Sequence, residues 1–318
     1  MIKELVSIII PVFNRENLVI ETLNSITKQT YTNWECIIVD DGSTDNTYVS
    51  VTNYIEKDSR FKIFKRPSNK IKGANSCRNF GFEQSKGEYI QWFDSDDLML
   101  PEMLEKKVSK IKRNFDFVLS GCVFFNQEKN TKWSKDLSIR NSIQLDYFSN
   151  EIIFNTPTSL WKRNIVSNHK FNECLMRAQE LDFFSRILLN ESVKGTILNE
   201  NLVLIREHEQ SITGEYLKGD KTKIFNDVNV RFYIFKELKS DTPKKVKDKI
   251  FYLYLKTIQN ALKNKYFSKT LIHLFNSFLK INWSYKLSIL KILFYSIIYS
   301  LSGKGWEYLK KHIKKYNI

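Results

Sequence analysis

The seven residues Val6–Val12, reading VSIIIPV, limit this chain more than any other stretch of it. A β-branched run without polar alternation is a strand buried on both faces, and such a strand needs helices above and below it. The sequence that follows supplies them. Leu18–Gln29 has helical spacing (Leu18, Thr22, Ile26) behind Asn17 as a cap. Glu35–Val39 and Phe61–Phe64 are strands, and Ala74–Ser85 is a helix ended by Gly87. Glu88–Phe93 is a strand, Pro101–Arg113 a helix with proline in its first turn, and Asp116–Phe125 a strand. Strand alternating with helix predicts an α/β sheet that is parallel at least in part, with ligands bound outside the carboxyl ends of its strands.

Beyond about residue 225 the pattern turns helical. Val246, Ile250, Tyr254, Ile258, Ala261 and Leu262 share one helical face. Ser268 and Ser284 are candidate caps of two further helices, and Gly303 is a candidate terminator. In a last helix, Trp306, Leu309, Ile313 and Tyr316 oppose Lys310, Lys311, Lys314 and Lys315. The 318 residues divide accordingly into a catalytic part, 1–225, and a basic helical part, 226–318.

Charge follows the same division. Sixteen lysines against three acids in residues 241–318 account for thirteen of the fifteen net positive charges. The basic character therefore belongs to the tail, whose final amphipathic helix suits an anionic membrane surface. An ordinary helix packing its apolar face inward is the competing reading. A nucleic-acid partner is disfavoured, because the tail has no arginine and no recognisable binding module. The N-terminus lacks the flanks of a signal peptide, and Lys291 interrupts the longest apolar run, Leu287–Leu301. These features predict a cytoplasmic protein without a spanning helix, peripheral at the membrane. Cys36, Cys77, Cys122 and Cys174 are too far apart for a zinc ligand set or a disulfide framework, and Cys36 and Cys122 read as buried thiols. No GxGxxG follows the first strand, which argues against a dinucleotide oxidoreductase.

Two acidic clusters, Asp40-Asp41-Gly42-Ser43-Thr44-Asp45 and Asp94-Ser95-Asp96-Asp97, sit at predicted strand ends. Carboxylates so close repel one another and call for a compensating cation. A hard divalent ion such as Mg²⁺ or Mn²⁺ suits oxygen ligands and holds phosphates as well.

Taken in order, VSIIIPVFN, VDDGSTD, GANSCRNFG and GEYIQWFDSDD resemble the family 2 glycosyltransferases over roughly Val6 to Ile212. The resemblance implies a GT-A fold, Rossmann-like with a mostly parallel sheet, and inverting transfer from a nucleoside-diphosphate sugar, UDP-linked by preference. The acceptor would be a cell-surface glycan or a lipid-linked precursor. It implies that Pro11, Phe13 and Asn14 line the nucleotide pocket, that Asp40 and Asp41 bind the base, and that Arg78 and Asn79 lie near the donor. Asp94, Ser95 and Asp96 form the DxD element, with Asp96, Asp97 and His208 as metal ligands for Mn²⁺ or Mg²⁺. An inverting transfer needs a general base. The family's Glu-Asp pair corresponds here to Gln179-Glu180, which makes Glu180 the base and Asp182 the alternative. Arg206 and Ser211 share the late element with His208. Thr156 and Trp161 would border the acceptor, a core position being the competing reading of Trp161. The departure at Gln179 leaves one alternative function, a catalytically degenerate sugar-nucleotide-binding or scaffold protein.

Overall fold

The structure is a computed structural model that describes residues 4–126, 130–190, 192–207, 216 and 218–317. The chain divides into two compact units, Met1–Leu175 with Gln179–His208, and Met176–Ala178 with Glu209–Ile318.

The first unit is built on one sheet. Strand β1 (Val6–Val12) is buried at every residue, as its composition demands. It pairs in parallel with β2 (Trp34–Asp40) on one side and with β4 (Tyr89–Trp92) on the other. β3 (Phe61–Lys65) extends the parallel part beyond β2. Pro11 falls outside the Val6–Ile9 stretch that pairs with β4, where a missing N–H is tolerated. The remaining strands are β5 (Leu98–Met99), β6 (Phe117–Asn126), β7 (Thr131–Ser134), β8 (Ser159–Lys162) and β9 (Gly195–Arg206). Among the described residues the sheet order is β3-β2-β1-β4-β8-β6-β9-β5, with β7 on β6. β8 and β5 enter antiparallel, and β6 and β9 are parallel.

Helices α1 (Glu16–Thr27), α3 (Ala74–Gln84) and α4 (Met103–Ile111) follow the strands as the periodicity predicts, and α2 (Thr47–Ile55), which the sequence pattern did not single out, lies between β2 and β3. α1 starts earlier than expected, with Arg15 and not Asn17 at its cap. α3 presses closely on the sheet because residue 81 is glycine: a Cβ there would meet the Ile9 side chain at 2.5 Å. Two short helices, α5 (Ile143–Phe148) and α6 (Arg163–Val166), and the longer α7 (Gln179–Asn190) belong to the same unit.

The second unit contains α8 (Lys221–Lys236), α9 (Lys244–Lys263), α10 (Phe267–Lys280), α11 (Trp283–Ser302) and α12 (Trp306–Lys314). α9 is its centre, and Val246, Ile250, Tyr254, Ile258, Ala261 and Leu262 are all buried, as their spacing predicts. Gly303 ends α11 in the left-handed conformation at φ 69°. Ser268 and Ser284 fall inside the first turns of α10 and α11, whose caps are Tyr266 and Asn282. In α12 the apolar face turns inward: Leu309 and Ile313 are 0% and 1% exposed. That corrects the expectation that this face is free to meet a membrane.

Candidate active site

Because β1, β2 and β4 run parallel side by side, the residues following them gather at one sheet edge. Phe13, Asn14 and Arg15 follow β1, Asp41 follows β2, and Asp94–Asp97 follow β4. Asn14, at φ 49°, laces the first two loops together. Its backbone N–H donates to Ser43 Oγ at 3.0 Å, and its Oδ1 accepts from the Thr44 N–H at 2.8 Å. Phe13 keeps 39% of its surface exposed, with Lys72 Nζ 4.1 Å from the ring centre.

The neighbours Asp40 and Asp41 differ in role. The Asp40 carboxylate accepts from the N–H groups of Gly42 (3.0 Å) and Ser43 (3.1 Å) and so locks its own loop. Asp41 accepts from Arg66 Nε at 2.5 Å and from the Gly73 N–H at 3.1 Å. Gly73 sits at φ 147°, where a side chain is strained. Asp40 is therefore a loop holder and not a base-binding group. Pro11 is buried within its strand and shapes the loop instead of lining a pocket.

Arg78 is the centre of the site. The α3 helix carries it to the end of β4, and it is only 4% exposed. Its Nη2 donates to Asp94 Oδ1 at 2.8 Å and lies 3.9 Å from Glu180 Oε1. Its Nη1 donates to Asn75 Oδ1 (3.2 Å) and Gln179 Oε1 (3.1 Å). Burial alone would lower the guanidinium pKa, but Asp94 and Glu180 together raise it, which keeps the cation charged. The Asp94 pKa is raised as well, for a different reason. Desolvation, then the charges of Glu180 and Asp96, raise its carboxyl above the ordinary value against the pull of Arg78. A third of its side chain stays open to the cleft.

The Glu180 side chain, 29% exposed, is placed by a clamp from α3. Asn79 takes both backbone groups of Phe171, donating at 2.9 Å and accepting at 2.8 Å. Asn75 donates to the carbonyl of Asn172 at 2.7 Å. These bonds fix the segment that leads into α7, where Glu180 occupies the first turn. Asn79 is thus a bracket and does not face the donor.

Several predicted site residues lie elsewhere. Asp97 is buried, and its carboxylate accepts from the Arg206 N–H at 2.9 Å, so it holds the end of β9 and faces away from the cleft. Burial, ahead of Asp94 and Asp96, raises its carboxyl well above normal. Ser95 is buried beside it. Asp182 is engaged by Arg186 at 2.9 Å on its own helix, which removes it as a base. Trp161 is 0% exposed, stacked on Phe117 at 4.4 Å and on Phe184 at 5.3 Å, and Thr156 is fully buried. Neither has a surface for an acceptor. His208 and Ser211 lie outside the described residues. Arg206 is spent on the Asp96 carbonyl and on Glu21.

The residues missed by sequence reading are cations and clamps. Arg15 Nε lies 3.4 Å from Asp96 Oδ2, and Arg66 holds Asp41. Arg66 directly follows β3 and Arg15 lies three residues beyond the end of β1, and that position was the available signal. Gln179 and Asn75 steady Arg78, and nothing in their local pattern announces it.

The residues facing the cleft fit a divalent cation. Asp94, Asp96 and Glu180 outnumber Arg78 and Arg15, so the mouth carries excess negative charge that a diphosphate would only increase. Among the described residues no group of three or more His, Cys, Asp or Glu is placed to hold a metal ion by itself. A site of one or two carboxylates completed by phosphate oxygens is the usual arrangement for Mg²⁺.

Comparison with known proteins adds independent findings. The profile of glycosyl transferase family 2 matches residues 7–172, just over half of the chain. An Escherichia coli UDP-Glc:alpha-D-GlcNAc-diphosphoundecaprenol beta-1,3-glucosyltransferase is 37% identical over 38% of this chain and 47% of its own length. A glycosyltransferase of Streptococcus pneumoniae is 28% identical over 66% of this chain and 73% of its own. An uncharacterized glycosyltransferase of Haemophilus influenzae is 36% identical over 45% of this chain and 59% of its own. The matches thus span between about half and three quarters of these relatives. Among solved structures, S. aureus TarS 1-349 in complex with UDP-GlcNAc aligns over 98% of this chain and 89% of its own, with TM-score 0.62 and 20% identity. The mannosyltransferase PcManGT from Pyrobaculum calidifontis, in complex with GDP-Man and Mn²⁺, aligns over 100% and 87%, with TM-score 0.59 and 15% identity. At such identities the likeness is one of fold, the GT-A-like α/β fold with a helical C-terminal region.

Proposed function

The chain belongs to glycosyl transferase family 2, and on that premise we propose that it is an inverting, metal-dependent transferase, moving a sugar from a UDP-sugar to a hydroxyl of a lipid-linked or cell-surface glycan precursor. One observation carries the reading: Arg78 bridges the DxD carboxylate Asp94 at 2.8 Å and the candidate base Glu180 at 3.9 Å. A single buried cation thus ties the donor side of the cleft to the acceptor side. The lipid-linked acceptor is supported by the E. coli relative and by a Campylobacter jejuni GalNAc(5)-diNAcBac-PP-undecaprenol beta-1,3-glucosyltransferase, 30% identical over 52% of this chain. Among the described residues no helix is long and apolar enough to cross a membrane, so a lipid-linked acceptor would be met peripherally, at the anionic inner face.

In this reading Phe13 offers its exposed face to the base, and Asp41, fixed by Arg66 and Gly73, accepts from its imide N–H. Asp94 and Asp96 would hold Mn²⁺ or Mg²⁺, which when bound supplies positive charge to the departing diphosphate. Glu180 takes the proton of the acceptor hydroxyl as that oxygen bonds to the anomeric carbon from the face opposite the leaving group. The bond from that carbon to the phosphate oxygen breaks, and the nucleoside diphosphate leaves with its electron pair. Arg78 keeps Glu180 and Asp94 in register throughout. Gln179 does not favour the degenerate alternative, because its amide oxygen steadies Arg78 at 3.1 Å.

The test is a panel of nucleotide sugars offered with Mn²⁺ or Mg²⁺, following released UDP with and without chelator. Chelator-sensitive release from one donor is expected, and Glu180→Gln should lower kcat by about 10²–10⁴. Turnover unaffected by chelator would remove the metal from the scheme, and an undiminished Glu180→Gln enzyme would remove the base.

A further inference from the structure

The second unit leaves a large apolar surface uncovered, and not on the helix whose sequence is most amphipathic. On α11, Trp283, Leu287, Leu290, Phe294, Ile297 and Leu301 are 83%, 63%, 43%, 60%, 40% and 83% exposed. Their spacing of four and three residues puts them on one face over five turns, about 27 Å at 1.5 Å per residue. The opposite face, with Tyr285, Ile289, Ile292 and Ser296, is buried. α10 adds Ile272, Phe275 and Leu279, each more than half exposed. The two helices are antiparallel neighbours, since Phe267 meets Tyr299 at 5.7 Å while Lys286 lies over Phe278 at 5.2 Å. Single exposed apolar residues are ordinary, but a contiguous patch of this length marks an interaction surface.

Charge decides what covers it. Neither α10 nor α11 contains an acid. On the α11 helix, Lys286 falls on one flank of the stripe and Lys291 on the other, and Lys269, Lys280 and Lys304 lie on or beside the two helices. The three acids of residues 241–318 offer little complement: Asp248 accepts from Tyr285 and is buried, Glu307 pairs with Lys310, and the exposed Asp241 precedes α9, on neither helix of the patch. A second copy seated on this face would set lysines against lysines. An apolar stripe flanked by lysines, with a tryptophan at one end under Lys286, matches instead the boundary between acyl chains and anionic headgroups.

We propose that the α10–α11 face is a docking surface for an anionic phospholipid bilayer, with α11 lying in the membrane plane and its stripe entering the acyl region. The proposal deepens the peripheral location in the proposed function, and rests on it only for the reason docking is useful. It transfers the membrane contact from α12, whose Leu309 and Ile313 are buried, to a face the sequence did not single out.

The full chain is sedimented with vesicles of phosphatidylcholine alone or with one-third phosphatidylglycerol, and Trp fluorescence is recorded. Binding to the anionic vesicles with a blue shift is expected. Leu287→Ser/Phe294→Ser should weaken it more than tenfold, and Lys286→Glu/Lys291→Glu by at least about fivefold for each lysine charge removed. Leu287, Phe294 and Lys291 are exposed and Lys286 is half-buried over Trp283 and Phe278, and circular dichroism checks that both variants fold. The α12 control Lys311→Ser/Lys314→Ser should lose no more than its share of unspecific charge. Absence of wild-type binding, or binding indifferent to the stripe substitutions, overturns the proposal. So does a dimer in sedimentation equilibrium that the same substitutions dissolve. Chelator-sensitive release of UDP, followed on the same preparations, separates the two ideas. An active enzyme that ignores vesicles refutes docking alone, and a vesicle-binding protein without turnover refutes transfer alone.

Discussion

Replacing Arg15 by glutamine should tighten Mn²⁺ binding in the absence of nucleotide. The Arg15 guanidinium lies 3.4 Å from the Asp96 carboxylate, and their side chains are 24% and 18% exposed. At an effective dielectric constant of about 20 the pair is worth about 5 kcal/mol in gross Coulomb energy. Solvent screening and the ordering of two long side chains reduce such pairs to about 1 kcal/mol net. A cation binding at Asp96 has to displace that interaction first. Removing it should therefore lower the dissociation constant about fivefold. The assay is a titration of free Mn²⁺ by electron paramagnetic resonance, with wild type, Arg15→Gln, and Arg60→Gln as a remote control. Arg60 pairs with Asp58 on another loop, so its variant should match wild type. With UDP present the Arg15 advantage should shrink or reverse, because a guanidinium released from Asp96 is free to meet the diphosphate. Arg15→Gln binding Mn²⁺ equally or more weakly without nucleotide would refute the competition.

Asp97→Asn should retain Mn²⁺ affinity, because the carboxylate faces the Arg206 N–H and an amide oxygen accepts the same bond; loss of metal binding on titration would return Asp97 to the ligand set. Trp161→Ala should cost about 3–5 kcal/mol of stability in denaturant unfolding, as large aromatic deletions in cores do. Its acceptor KM, measured on the folded fraction, should be unchanged, whereas a large rise in KM at intact stability would mean the ring meets the acceptor. Lys107, fully buried against Gln91 and Pro157, has its amine pushed down to about 7 by burial. Its folded pKa lies below the unfolded one, so the penalty for burying the charge is full below about pH 7 and fades towards the ordinary value of 10.5. Stability of the wild type relative to Lys107→Met should rise through that window, and parallel pH profiles of the two Tm values would contradict it.

Sequence and structure agree where burial on both sides leaves the pattern no choice. β1 was legible to the residue because every position in Val6–Val12 is covered. Boundaries set by capping were less legible. Asn17, Ser268 and Ser284 are all cap-forming types, yet none is the cap, because a polar residue in the first turn looks the same from sequence. In the site, the strand-end rule located both acidic loops. It did not divide the work within them, since neighbours at a strand end point to opposite sides. Asp40 turns to its own loop, Asp41 to Arg66, Asp97 to the end of β9 and Asp94 towards the cleft, by a parity that only the loop geometry fixes. The α12 helix shows the same limit at larger scale. Periodicity revealed two faces, but which one the protein itself covers is a property of packing. The exposed stripe fell on α11, where apolar residues occur all round the helix and hide the pattern.

The acids of the site also alter the case for a metal that their spacing made. Crowded carboxylates need cations, but this chain supplies its own. Arg66 holds Asp41, Arg78 holds Asp94 and Arg15 faces Asp96, while Asp97 is buried on the neutral Arg206 N–H. Folding therefore does not wait for an ion, unlike a closed structural site whose ligands repel until it is filled. What remains uncompensated is Glu180, 3.9 Å from an arginine already committed to Asp94. That imbalance becomes costly only when a diphosphate enters the same cleft. The demand for a divalent ion thus arises with the nucleotide, so ion and donor are expected to bind as one unit, exchanging with Arg15 at a site already folded to receive them.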